Sequence, residues 1–101
     1  MPFDGPTIST TVRALIQAKQ YLEKHGWCND GPRNSRGQVC VLESLAIVSP
    51  SWEGIPYLRK VLGERYQNIH TIGVWNDTPG RTLEEVYVLF DRAIELAMVE
   101  G

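Results

Sequence analysis

The sequence predicts a mainly α fold: a compact four-helix single domain with an irregular or short extended segment before the last helix. Three observations carry this expectation. Apolar residues recur at helical spacing in a long stretch near each end of the chain. A capping box opens the second of these stretches. Dense turn signals divide what lies between. At 101 residues there is room for one ordinary domain and not for two.

Residues 1–8 read as a flexible N-terminal tail, and 9–101 as the helical domain. Ser9, Thr10 and Thr11 supply N-cap hydroxyls. Val12, Leu15, Ile16 and Leu22 then fall at helical spacing beside Ala18 and Tyr21, with Lys19 as a polar gap. Gly26 stands where a C-terminal cap belongs and Trp27 is placed to fold back on the last turn, which sets the first helix at 9–25. Residues 29–37 collect turn-forming types and nothing apolar, an exposed loop. Residues 38–48 are mostly apolar; their length and the Leu-Glu-Ser-Leu-Ala centre favour a short buried helix closed by Pro50.

Ser51 is placed to cap a third helix, with Pro56 in its opening turns, Leu58, Val61 and Leu62 as its apolar face, and Gly63 at its end. Residues 70–75 read as extended or loop, and 76–80 as a turn. Thr82 and Glu85 form the capping box of the last helix. Val86, Leu89, Phe90, Ala93, Ile94 and Ala97 mark one continuous face of it, and it ends near Met98.

The composition narrows the function. A net charge of −2 and a pI near 5.6 argue against a dedicated binder of phosphate backbones, so nucleic acid is not expected as a partner. No apolar run approaches the roughly 20 residues that span a bilayer, and the N-terminus lacks a signal-peptide layout. A cytoplasmic setting follows as the expectation, with Cys28 and Cys40 kept reduced.

Three pieces of the chain resemble a family of small uncharacterised proteins from actinobacteria and their phages. They are Gly26-Trp27-Cys28 after the leading helix, Val39-Cys40 opening an apolar helix, and the run from Val74 to Val86 that contains Trp75-Asn76-Asp77-x-Pro79-Gly80-Arg81-Thr82, followed by Phe90-Asp91-x-Ala93-Ile94. The third is the specific one. The resemblance covers about Val12 to Ala97. It implies no activity; it implies a phage or bacterial accessory protein. The family's second helix often carries a Cys-Ala-Leu-Gly-Ala-like stretch, where this chain has polar Glu43 and Ser44 instead.

Several constellations have a chemical and a structural reading. The Trp75-Asn76-Asp77 turn could bind a ligand or partner, with Asp77 and Arg81 as charged contacts. Structurally, Asn76 and Asp77 would cap neighbouring amides, Trp75 would plug the core, and Arg81 would pair with Glu85 one turn on. The structural reading is preferred. Cys40, His70 and Asp77 follow the chain order of papain-like enzymes, in which a cysteine begins a helix and a histidine activates it. Against that, Cys40 sits in an apolar run, where a cysteine is usually a small buried hydrophobe. His25, Cys28, Cys40 and His70 offer four zinc-type ligands, but only one tight pair where structural zinc sites use two. Arg33 and Arg36 in the loop suit an anionic partner or plain solvation, and solvation is preferred. Of the three tryptophans, Trp52 is the one expected at the surface, where it would anchor an interface.

The resulting expectation is a non-enzymatic accessory protein, phage-derived, that binds a protein partner or forms a homo-oligomer. Its binding candidates are Trp75, Asn76, Asp77, Arg81 and Trp52, and it needs no cofactor and no membrane. The alternatives are a cysteine-dependent hydrolase or transferase using Cys40, His70 and Asp77, and a small zinc-stabilised domain.

Overall fold

The computed structural model describes residues 9–31, 33–49 and 51–100. The expected tail at 1–8, the helix-closing role of Pro50 and the terminal Gly101 lie outside these residues. Among them are five α-helices: α1 Thr10–His25, α2 Val41–Val48, α3 Ile55–Leu62, α4 Ile69–Asp77 and α5 Leu83–Glu100, with a 3₁₀ turn at Glu64–Tyr66 between α3 and α4.

α1 starts where its hydroxyls predict. The Ser9 side chain accepts from the Val12 amide at 3.1 Å. Gly26, at φ 97°, ends it by donating its amide to the Leu22 carbonyl at 2.8 Å. Lys19, the polar gap in the stripe, sits at the edge of the packed face and pairs with Asp91 of α5 at 2.7 Å. α2 is shorter than the apolar run suggests. Val39 is extended, bridging Trp27 on one side and Arg33 on the other, and the helix begins only after Cys40. α3 is capped by Gly54, not Ser51. Ser51 and Trp52 form a tight turn in which Trp52 takes φ 59° and donates its amide to the Ser49 carbonyl. Gly54 is required by close approach: a Cβ there would lie 2.6 Å from Leu15 Cδ2.

The main correction is α4. Residues 70–75 are helical rather than extended, which makes five helices instead of four. Ile, Thr and Val favour strands locally, but the tertiary setting overrides that preference. Asn68 and Thr71 form a reciprocal cap, each side chain bonding the other's backbone amide. The helix then buries Ile72, Trp75 and Asn76. α5 follows the sequence expectation at its start and on its apolar face, with Val86, Leu89, Phe90, Ala93 and Ala97 buried and Ile94 partly so. It runs to Glu100, two residues past the expected end.

α1 packs on α2 and α5, α3 on α5, and α2 on α4. Leu15, Leu22, Leu45, Leu58, Ile72, Val86 and Phe90 meet in the centre, essentially without exposure. The Cα radius of gyration is 13.5 Å, close to the roughly 13 Å of a compact chain of this length.

Candidate functional site

The Trp-Asn-Asp turn closes α4, and its middle residue is the most densely bonded polar side chain in the core. Asn76 is fully buried. Its Oδ1 accepts from the Trp27 indole Nε1 at 2.7 Å and from the Val41 amide at 3.0 Å. Its Nδ2 donates to the Cys28 carbonyl at 3.1 Å and to Asp77 Oδ1 at 2.9 Å. All the bonding capacity of the amide is used. Asn76 therefore joins three segments: the turn after α1, the first amide of α2, and the end of α4. The sequence reading expected it to cap neighbouring amides; its partners Trp27, Cys28 and Val41 are instead distant in the chain.

The residues around it also serve the fold. Trp75 is 8% exposed and fills the core, as expected. The Arg81 guanidinium lies 4.1 Å from the centre of the Trp75 ring. Its Nε donates to the Trp75 carbonyl at 2.9 Å, a second donor there beside the Thr78 amide that caps α4. Its outer nitrogen reaches Glu85 at 3.2 Å, the expected pair. Glu85 completes the capping box: it accepts from the Thr82 amide at 2.8 Å, and its own amide donates to Thr82 Oγ1 at 3.2 Å. The Thr82 amide first, and the Arg81 charge second, hold the Glu85 carboxyl below its ordinary pKa. Trp52, expected at the surface, is half-buried against the core.

Of the catalytic alternative's residues, Asp77 bears on Cys40: burial raises the thiol pKa, and the negative charge of Asp77 adds to it. His70 and Asp77 line a shallow groove on the outer face of α4 with Gly73, Val74 and Pro79, and Cys40 is not part of its wall. Cys40 does begin a helix, but its sulfur accepts from the Glu43 amide at 3.3 Å as the N-cap of α2. Burial pushes its thiol pKa up to about 11, the reverse of what a nucleophile needs. Cys28 is also buried, its thiol aimed at the carbonyls of Gly31 and Gln38 at 3.4 and 3.5 Å, and desolvation raises its pKa. Among the described residues, no three His, Cys, Asp or Glu side chains converge as metal ligands, so His25, Cys28, Cys40 and His70 do not come together. Arg33 pairs with Glu43.

Sequence reasoning missed where the chain leaves apolar side chains in solvent. These are Val88, Met98 and Val99 on α5, Ile69 and Val74 on α4, and Ile47 on α2. Two adjoining grooves of about 500 and 490 Å³ run beside α5 and share Val61 and Arg92. The signal was present: Val88 and Val99 lie off the apolar face of the last helix. No helix among the described residues is long and apolar enough to cross a membrane.

The profile of a family of unknown function, DUF6197, matches residues 6–96. No curated protein and no solved structure matches this chain.

Proposed function

The chain belongs to DUF6197, whose description assigns no activity, and from that premise we propose a non-enzymatic accessory protein that binds a protein partner or a second copy of itself. One observation carries this reading. The distinctive polar residues are spent on the fold, while apolar side chains of α5 stand exposed beside open grooves. Exposed apolar groups rimmed by charge are a common mark of protein–protein contact. The mild negative charge argues against a nucleic-acid partner. A phage-derived, actinobacterial origin and a cytoplasmic setting belong to the same reading, supported by the motif resemblance and by the two buried free thiols.

The test compares the wild-type chain with Val88→Asp by size exclusion and by capture from host lysate. The proposal expects self-association or a captured protein with the wild type, lost with the variant. A strict monomer that recovers no partner would overturn it.

A further inference from the structure

The outer face of α5 carries a stripe that is complementary to itself. Val88, Arg92, Glu95 and Val99 follow at steps of four, three and four. At about 100° per residue these positions stay within roughly 60° of one another, opposite the buried face of Val86, Phe90, Ala93 and Ala97. Val88 is 47% exposed and Val99 85%, and Arg92 and Glu95 are both exposed. Of the other acids on α5, Asp91 pairs with Lys19, Glu100 with Lys60 and Glu85 with Arg81, while Glu84, one turn before Val88, forms no ion pair among the described residues and lies beyond the seam. Arg92 and Glu95 form no ion pair among the described residues.

A two-fold axis crossing α5 midway between Arg92 and Glu95 sends each residue of the stripe onto a fitting one. Arg92 meets Glu95 of the second copy, and Val88 meets Val99 of the second copy. Each contact occurs twice, as an isologous interface requires. The helices run antiparallel, which also opposes their dipoles favourably. Steps of four and three are those that keep a seam facing a partner helix. Val61 of α3, which shares the grooves with Arg92, widens the seam on one side.

We propose that this stripe is a homodimer interface, and that the occupant of the α5 face is a second copy of this chain, antiparallel and centred between Arg92 and Glu95. This rests on the reading of the chain as an interaction protein and names its partner. The seam from Val88 to Val99 is only about 16 Å long. It falls short of the roughly 800 Å² per partner of a standard stable interface, so the dimer is weak, with a dissociation constant on the order of 10⁻⁵ to 10⁻³ M.

Sedimentation equilibrium from about 10 μM to 2 mM tests it, with circular dichroism confirming that each variant folds. The substituted side chains are exposed, so folding is expected to survive. The wild type should dimerise. Arg92→Glu puts four acids on the axis, and Glu95→Arg puts four arginines there; each should weaken the dimer about tenfold or more. Mixing the two single variants, or combining both changes in one chain, should restore it to within about threefold. A wild type that stays monomeric at 2 mM, a dimer indifferent to the single reversals, or a mixture that fails to recover overturns the inference. If the wild type is monomeric yet binds a host protein through Val88, the second-copy assignment fails while the interaction reading stands. If neither occurs, both fail.

Discussion

Replacing Asn76 tests the structural account most severely. Asn76→Ala leaves four groups without their partner, the Val41 amide, the Trp27 indole N–H, the Cys28 carbonyl and the Asp77 carboxylate, of which Asp77 is exposed and the other three carry the cost. An unsatisfied buried donor or acceptor costs roughly 1–3 kcal/mol. Since such costs overlap, about 3–6 kcal/mol is expected, a large part of the 5–15 kcal/mol typical of a domain. For a chain of this size, even the lower figure means a fall in Tm of more than about 12 °C. Far-UV circular dichroism is the suitable probe, because Trp27 fluorescence would change for local reasons. Asn76→Asp sharpens the test. It keeps the acceptor but turns the donor into a second carboxylate oxygen, facing the Cys28 carbonyl and the Asp77 carboxylate. The ionised form is disfavoured there, so the folded state holds its proton to higher pH than the unfolded chain. The variant should regain stability as pH falls through that raised value toward the ordinary carboxylate pKa of about 4. A loss under about 1 kcal/mol for Asn76→Ala, or no acid recovery for Asn76→Asp, would refute the assignment of Asn76 as the clasp between three segments.

Cys40 should alkylate with iodoacetamide at neutral pH at least about tenfold more slowly than free cysteine, because its thiol is capped, buried and shifted to about 11; labelling as fast as a free thiol would contradict that. Its raised pKa stabilises the fold below the ordinary thiol value and is lost as pH climbs toward 11, so the urea midpoint of the wild type should fall over that range more than that of Cys40→Ser. Arg81→Ala removes the ring contact, the bond to the Trp75 carbonyl and the Glu85 pair, and should cost about 1–3 kcal/mol by thermal melting, with Arg81→Lys recovering only part of it. Gly54→Ala forces a methyl against Leu15 and Leu45 in the core, and chemical denaturation should show a loss of about 1–3 kcal/mol.

What could be read from the sequence was what is encoded locally. The capping residues Ser9, Thr82 and Glu85, the closing Gly26 and the 3.6-residue stripes of α1 and α5 all lie within a turn or two of what they determine. α4 was missed because Ile69, Thr71, Ile72 and Val74 prefer strands and Gly73 sits in the middle; the Asn68–Thr71 cap was the available signal, in a form other than Ser/Thr-x-x-Glu. The location of Trp52 depends on a left-handed turn that sequence did not announce. The bonds of Asn76 were out of reach for a different reason. Its partners Val41, Cys28 and Trp27 lie 35, 48 and 49 positions away, and only the packed helices bring them together. The sequence marked this stretch as distinctive, but the bonds that Asn76 makes could be assigned only in three dimensions.

The clasp has a kinetic side as well. Because Asn76 ties segments far apart in sequence, it closes only after the chain has surrendered the entropy of long loops, whereas α1 and α5 carry their own caps. The two thiols flank it: Cys28 supplies the carbonyl that Asn76 holds, and Cys40 precedes the amide that it holds. Both sulfurs are buried beside it. Slow alkylation of the native protein thus reports local opening of the segments that Asn76 joins, at the intrinsic thiol rate multiplied by the fraction of time that they stand open.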